Sequence, residues 1–162
     1  MKTYRKISYI LTIIVAIVAF YVSIRRILIK PETPVSPKDD TIKYQAYYQY
    51  NFDGDTAVFY VGELDKQTVR FLAVDSPEID QEGYEEAKRY TDTILRNAFR
   101  ITIELDPYSP QYDKYDRLLA WIWVDDELLQ AKLISSGNAK ISYLFNKYLY
   151  TDYLFSLQNV TQ

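Results

Sequence analysis

The sequence predicts an α+β domain built on a five-stranded barrel of the OB type with about three helices, preceded by one N-terminal transmembrane helix. Three observations lead to this fold. Five strand-like segments, rich in Tyr, Val and Ile, lie between residues 42 and 124. Helical patterns follow the third and the fifth of these segments. An uncharged apolar run stands near the beginning of the chain, before a proline-containing linker.

The apolar run from Ile7 to Ile24 carries no charge. As a helix it would be ~27 Å long at ~1.5 Å per residue, close to the ~30 Å core of a bilayer. Arg25 and Arg26 follow it directly, and no A-x-A-like cleavage site is present. We therefore expect residues 1–30 to form an uncleaved single-pass membrane anchor rather than a signal peptide or a buried helix. Basic residues flank both ends, so orientation stays open; we expect an extracellular C-terminal domain.

Residues 31–41 predict a solvated linker, because three prolines alternate there with charged side chains. Residues 42–162 are expected to form one domain. Its strands are predicted at 42–52, 56–61, 66–74, 99–105 and 117–124. The first strand is dense in Tyr, the fourth alternates, and the last is almost wholly apolar, as expected for a buried strand.

Helices are predicted at 83–98 and 127–136, where apolar residues recur at helical spacing, and at the end of the chain over 148–158. Gly137 suits the C-cap of the second helix. The sequence Ser76-Pro77-Glu78 combines a hydroxyl cap, a proline and an acid, which is the signature of a helix start.

The composition excludes several kinds of site. The chain has no His and no Cys, which excludes Ser-His-Asp triads, His-ligated metals, thiolate zinc sites and disulfides. Its four glycines are too dispersed for a phosphate-binding glycine loop. Any catalysis must use carboxylates, Arg, Lys or hydroxyl groups, with a hard metal as the expected helper.

Acidic residues and one arginine are concentrated between Asp53 and Glu78. They lie at the ends of segments predicted to be neighbouring strands, so pairing of those strands would bring them together. Hard cations such as Ca²⁺ take oxygen ligands, and phosphoryl transfer needs a metal, a base and positive charge around one phosphate. Arg70 supplies one positive charge, and Arg117 is the candidate for a second.

Charge is unevenly distributed along the chain. Residues 1–30 hold six of the 19 Lys and Arg and none of the 22 Asp and Glu, so the remainder has a net charge of −9. Non-specific affinity for nucleic acid comes mainly from basic surface. The acidic balance therefore argues against strong nucleic-acid binding.

Ordered motifs nevertheless resemble the staphylococcal (thermo)nuclease family over roughly residues 48–145. The motifs are Asp53-Gly54-Asp55-Thr56, Val69-Arg70-Phe71-Leu72, Val74-Asp75-Ser76-Pro77-Glu78, Asp113-Lys114-Tyr115-Asp116-Arg117, Leu118-Leu119-Ala120-Trp121 and Leu133-Ile134-Ser135-Ser136-Gly137-Asn138-Ala139-Lys140. The resemblance implies an OB-type barrel and Ca²⁺-dependent hydrolysis of DNA and RNA, leaving 3′-phosphates and 5′-hydroxyls.

The resemblance also implies a role for each matching residue. The residues matching calcium ligands are Asp55, Asp75 and Ser76, the last through its main-chain carbonyl. The residues matching the catalytic set are Arg70, Glu78 and Arg117. Asp53 matches an acid beside the metal site, and Tyr115 and Tyr143 match aromatics that flank the bound nucleotide.

These roles agree with general chemistry. Glu78 would accept a proton from the attacking water or orient it. Arg70 and Arg117 would donate hydrogen bonds to phosphate oxygens, and these strengthen as charge builds in the transition state. The expected substrate is single-stranded or non-specific DNA or RNA. We predict no protein partner.

Two departures from the family pattern keep alternatives open. Asp116 stands where the family usually has Gly, next to Arg117, and its charge could pair with that guanidinium. The segment after Glu78 is acidic, with Asp80 and Glu82. The alternative functions are a non-catalytic module of the same fold that binds oligonucleotide or protein at the membrane, and a membrane adaptor indifferent to metal.

Overall fold

The structure is a computed structural model, and it describes residues 35–142 and 147–158 together with Ile14 and Ile17. The chain divides into two units, Met1–Thr33 and Pro34–Gln162. The predicted membrane helix at 7–24 therefore lies outside the described residues, except for those two isoleucines. Within the described part of the chain, no helix has the length and apolar character needed to cross a bilayer.

The described domain contains eight strands and three α-helices. The strands are β1 (Lys43–Asn51), β2 (Thr56–Val61), β3 (Lys66–Phe71), β4 (Val74–Asp75), β5 (Ile101–Glu104), β6 (Leu118–Val124), β7 (Glu127–Leu128) and β8 (Lys140–Ile141). The helices are α1 (Tyr84–Arg96), α2 (Leu129–Ser135) and α3 (Thr151–Gln158).

Five of these strands close into a barrel, as predicted. β1, β2 and β3 form an antiparallel meander, and β1 pairs on its other side with β5. β5 pairs with β6, which closes the barrel by pairing in parallel with β3, Val69 opposite Leu118. The short β7 continues the sheet beside β6, and β4 pairs with β8.

The barrel strands and helices share one apolar core. Its largest fully buried side chains include Trp121, Trp123, Phe59, Phe71 and Leu129. Burying such side chains contributes ~1.5–3 kcal/mol each, and this drives closure of the barrel. The almost wholly apolar β6 lies at its centre, as its composition predicts.

Glu104, at the end of β5, ties the segment before β1 to the barrel. It is fully buried, and it accepts hydrogen bonds from Trp123 Nε1 (2.6 Å), Tyr150 OH (2.9 Å) and the Lys38 N–H (3.0 Å). Thr41 Oγ1 donates to the same carboxylate. These contacts lie at the Lys43 end of β1, opposite the end that leads to the β1–β2 loop with Asp53 and Asp55.

Two local predictions were wrong. The strand predicted over 66–74 ends at Phe71, because the chain turns at Leu72 and Ala73 (φ 62°) before β4 begins. No helix starts at Ser76: its N–H donates to Asp55, and the helix begins at Tyr84, after Gly83 with φ 89°. Ser76 therefore ties the segment after β4 to the β1–β2 loop instead of starting a helix.

Candidate active site

The loop joining β1 to β2 is tightly packed against α1. Asp53 Oδ1 accepts the N–H of Asp55 at 2.9 Å, which forms an Asx turn. A Cβ added at Gly54 would lie 2.7 Å from Ser76 Cβ and 2.9 Å from Ala87 Cβ. The buried hydroxyl of Thr91, on α1, donates to the Gly54 carbonyl at 2.7 Å. A glycine is therefore needed here for close approach rather than for a special φ.

Asp55 is the buried acid at the centre of the site. One carboxylate oxygen accepts the Ser76 N–H at 2.6 Å, and the other accepts the Thr56 hydroxyl at 3.0 Å and lies 3.1 Å from Arg70 Nη1. Burial raises the pKa of Asp55 to about 6, and the charge of Asp53 adds to the rise. Arg70 and the two hydrogen bonds oppose it without cancelling it.

Arg70 lies at the end of β3, opposite Thr56, and holds this part of the site together. Its Nη1 donates to the carbonyls of Val74 (2.7 Å) and Phe71 (3.0 Å), and its Nη2 lies 3.4 Å from Asp75 Oδ1. The guanidinium therefore bridges Asp55 and Asp75 and also stabilises the turn between β3 and β4 through these hydrogen bonds. It is a structural residue as well as a candidate phosphate ligand.

Asp75 is placed by the pairing of β4 with β8, where its partner is Lys140. Lys140 Nζ lies 3.7 Å from Asp75 Oδ2. Sequence reasoning did not assign a role to Lys140 or to the Thr56 hydroxyl, although both belong to motifs quoted above. The two-residue strand that brings Lys140 to Asp75 is too short to be recognised from the sequence.

The donor set fits a hard cation. Asp55 and Asp75 both reach the same guanidinium, so their carboxylates lie close together, and the nearby groups are hydroxyls and carbonyls. In the described part of the chain, no three acidic side chains cluster as a ready-made metal site. Ca²⁺ takes 6–8 oxygen ligands, so carbonyls such as that of Ser76, water or substrate would complete the shell.

Glu78 follows three residues after Asp75 on an exposed turn. The Gln81 N–H donates to the Glu78 carbonyl at 2.8 Å, and the Gln81 side chain accepts the Glu78 N–H at 3.1 Å. Among the described residues, no ion pair engages the Glu78 carboxylate. Glu78 thus lies three residues after the candidate metal ligand Asp75, and its side chain is exposed to solvent.

Arg117 belongs to a second group, just before β6. Asp113 Oδ2 accepts from Arg117 Nε and lies 2.7 Å from Nη2, and Asp113 Oδ1 accepts the N–H groups of Tyr115 and Arg117. Burial alone would raise the pKa of Asp113, but these hydrogen bonds lower it. The expected competitor Asp116 instead occupies a turn position with φ 62°, and Arg117 stacks over Tyr115 at 5.4 Å.

The structure therefore places the predicted residues in two groups. Direct contacts join the first group, which consists of Asp53, Asp55, Arg70, Asp75 and Ser76. The second is formed by Arg117 and Tyr115, in the loop that leads into β6, the strand next to the one that carries Arg70. Tyr143 lies outside the described residues, so its predicted contact with a nucleotide stays a prediction.

Comparison with known proteins identifies related sequences. The family model described as staphylococcal nuclease homologue matches residues 68–162, more than half of the chain. This match begins within β3, at Thr68, and covers the turn to Glu78 and all later elements.

Three related proteins are nucleases by name. Endonuclease YncB of Bacillus subtilis is 36% identical over 57% of this chain and 46% of its own length. The SPbeta prophage-derived endonuclease YokF of the same organism is 35% identical over 57% of this chain and 32% of its own. The thermonuclease of Staphylococcus intermedius is 33% identical over 56% of this chain and 55% of its own. The chain thus spans about half, or less, of each.

Proposed function

The chain belongs to the family of staphylococcal nuclease homologues, and from this membership we propose that it is a nuclease: a Ca²⁺-dependent phosphodiesterase that hydrolyses DNA and RNA. The observation that carries the proposal is the buried contact set in which Arg70 bridges Asp55 and Asp75. Such an arrangement combines oxygen ligands with a donor for phosphate. The endonuclease and thermonuclease names of the related proteins support the same activity.

Each residue then has a specific task. Asp55, Asp75 and the Ser76 carbonyl would hold Ca²⁺, which when bound supplies positive charge that polarises a phosphoryl oxygen. Arg70 donates to a second phosphate oxygen from a position fixed by two backbone carbonyls. Glu78 orients the attacking water and accepts its proton.

Arg117 can keep its partner Asp113 and still meet a phosphate during this reaction. In the described structure its Nε and Nη2 face Asp113. Its remaining Nη1 and the open side of the guanidinium can approach phosphate while Asp113 holds the opposite edge. Tyr115, stacked against the guanidinium, limits its rotation. Lys114 Nζ lies 4.8 Å from the centre of the same ring, so a base that contacts Tyr115 shares the ring with both cations.

We also propose that the N-terminal segment anchors this domain to a membrane, with the domain on the extracellular side. The support is the uncharged run from Ile7 to Ile24 and its basic flanks. Extraction of cell membranes with alkaline carbonate tests the anchor: an integral protein stays in the pellet, and release into the supernatant would contradict it.

The activity is tested with the full chain in a mild non-ionic detergent, using labelled single-stranded DNA and RNA. Cleavage is measured with Ca²⁺ and with EGTA, and the products are tested for a 3′-phosphate. We expect cleavage only with Ca²⁺ and products ending in 3′-phosphate. No cleavage of either nucleic acid with Ca²⁺, or equal cleavage in EGTA, would contradict the proposal and favour a non-catalytic binding module.

A further inference from the structure

Four aromatic side chains lie exposed on the outer side of the β1–β2 ribbon, outside the two groups described above. Tyr47, Tyr50, Phe52 and Tyr60 are between 43% and 62% exposed. We refer to these four as the aromatic face. Large exposed aromatics that gather in one place often mark a binding surface, whereas single ones need no explanation.

The strand register shows that the aromatic face is continuous. Tyr47 pairs directly with Tyr60, and Tyr50 pairs with Val58, two residues further along the same side of β2. An irregularity between Tyr48 and Tyr50 inserts an extra residue in β1. Because a bulge shifts the alternation of side chains, Tyr47 and Tyr50 point to the same side although they are three residues apart.

The aromatic face extends towards the loop between β1 and β2. The rings of Tyr50 and Phe52 lie 5.5 Å apart at 80°. Phe52 directly precedes Asp53, and its backbone is fixed on both sides: its N–H donates to the Thr56 carbonyl, and its carbonyl accepts the Tyr84 hydroxyl at 2.8 Å. The aromatic face thus ends one residue from the loop that carries the candidate calcium ligands.

The charges around the aromatic face favour nucleic acid as the ligand. Lys66 of β3 pairs with Tyr60, and its Nζ lies 5.7 Å from the centre of the Tyr50 ring, so it can meet a phosphate beside stacked bases. An anionic membrane surface is recognised by clusters of basic residues, which a single lysine does not provide.

The acidic composition favours stacking over phosphate binding. Beyond residue 30 the chain carries a net charge of −9, so phosphate contacts cannot supply much affinity. Base–aromatic stacking is nearly independent of charge and sequence, and it requires bases that are not already stacked in a duplex. OB folds commonly bind oligonucleotides on the face of strands 2 and 3 and at the loop between strands 1 and 2. The aromatic face includes Tyr60 of β2 and ends at the β1–β2 loop.

We propose that the aromatic face binds a single-stranded stretch of nucleic acid that continues from the cleavage site, by stacking bases on Tyr47, Tyr60, Tyr50 and Phe52 in turn. This inference rests on the proposed function for the identity of its ligand. It deepens that function by placing a binding surface for the single strand away from the reacting phosphate.

The test measures binding without cleavage. A fluorescent oligothymidylate of about twelve nucleotides, within the roughly 4–16 that one OB fold covers, is titrated with the full chain in EGTA. The variant Tyr47→Thr/Tyr60→Thr keeps residues suited to strands. Tyr47→Phe/Tyr60→Phe keeps the rings, and Phe99→Thr removes an aromatic that is 99% exposed outside the aromatic face.

We expect the threonine variant to bind at least about tenfold more weakly, and the other two variants to bind like the parent chain. The loss should be similar at low and high salt, and a duplex of the same length should bind the parent at least about tenfold more weakly than the single strand does. Equal binding by the threonine variant, or no binding by the parent, would overturn the inference. The inference would also be overturned if the threonine variant lost only vesicle binding or self-association and still bound the single strand like the parent chain.

Cleavage with Ca²⁺ is measured separately on the same preparations. Its absence in the parent overturns the proposed nuclease activity. If the parent chain cleaves but the threonine variant binds the single strand as well as the parent does, only the aromatic-face inference is overturned.

Discussion

Two arginines that the family pattern treats as a pair have different surroundings in this protein. Arg70 is 9% exposed and donates to the carbonyls of Val74 and Phe71. Arg117 is partly exposed and contacts Asp113 and Tyr115 of its own loop. The same substitution at the two positions should therefore have separable effects on catalysis and on stability.

Lysine at either position is expected to reduce cleavage, because it cannot reproduce the guanidinium fork. Arg117→Lys should lower kcat by about 10²–10³-fold with little change in the free energy of unfolding. Arg70→Lys should lower kcat similarly and also destabilise the fold by about 1–3 kcal/mol, because buried carbonyls lose their donors. Steady-state kinetics and urea unfolding measure the two effects. An unchanged stability of Arg70→Lys would contradict its bridging role.

The buried carboxyl of Asp55 should make the proposed calcium binding depend on pH. Its pKa is raised by burial from 3.8 to about 6 in the metal-free protein, and Ca²⁺ needs the ionised form. The apparent Ca²⁺ affinity should therefore fall by about tenfold between pH 7 and pH 5. Calorimetric titration across this range checks the prediction, and an affinity that does not change with pH would contradict it.

The same pKa sets the direction of metal-free stability. A carboxyl whose folded pKa is raised contributes stability that is fully present below about pH 4 and is lost as the pH rises through about 6. In EGTA, the Asp55 contribution should therefore decrease over this interval, and Asp55→Asn should flatten that part of the profile. Above pH 6, added Ca²⁺ should restore stability to the parent protein only.

At the scale of elements, the site depends on how closely α1 approaches the loop before β2. Thr91 of that helix binds the Gly54 carbonyl, and no room exists for a side chain at Gly54. The helix thus supports the segment from which Asp55 emerges. A change at this contact should alter both folding and metal binding.

Gly54→Ala is expected to destabilise the protein by about 1–3 kcal/mol, because the new methyl group overlaps Ser76 and Ala87. The displaced Ser76 should also weaken Ca²⁺ binding. Thermal unfolding with and without Ca²⁺ measures both effects. Gly54→Ala/Ser76→Gly removes the nearest overlapping atom and should recover part of the loss; no recovery would argue against the packing explanation.

Elements with a strong local pattern could be predicted from the sequence. The strand at Thr56–Val61 and the apolar strand β6 lie where the sequence pattern predicts them. Failures occurred where tertiary hydrogen bonds override a local signal. Ser76 looks like a helix cap, yet its N–H is taken by Asp55, and the two-residue strands at Val74 and Lys140 exist only because they pair with each other.

At the residue level, prediction was limited for a similar reason. Neighbouring acids suggested that Asp55 and Asp75 converge, and the structure brings both to Arg70. The competition expected from Asp116 was not found, since Asp113 pairs with Arg117 instead. Which of two nearby acids meets a guanidinium depends on the turn conformation, and a positive φ at Asp116 is not visible in composition or spacing.

At the scale of the whole molecule, barrel closure sets up the site. The parallel pairing of β3 with β6 brings Arg117, the residue directly before β6, to the strand that carries Arg70, although many residues separate them in the sequence. Contacts around Glu104 secure the opposite end of β1, where the chain enters the barrel. The domain therefore has structural contacts at one end of β1 and the candidate site at the other.

In the proposed mechanism, the candidate site hydrolyses phosphodiesters with Glu78 as the base. Its most direct test compares Glu78→Gln with Glu82→Gln, the same change at an exposed acid four residues along, in single-turnover cleavage of single-stranded DNA with saturating Ca²⁺. The account predicts a loss of at least about 10²-fold for Glu78→Gln and parent-like cleavage for Glu82→Gln. Equal rates for the two variants would contradict it.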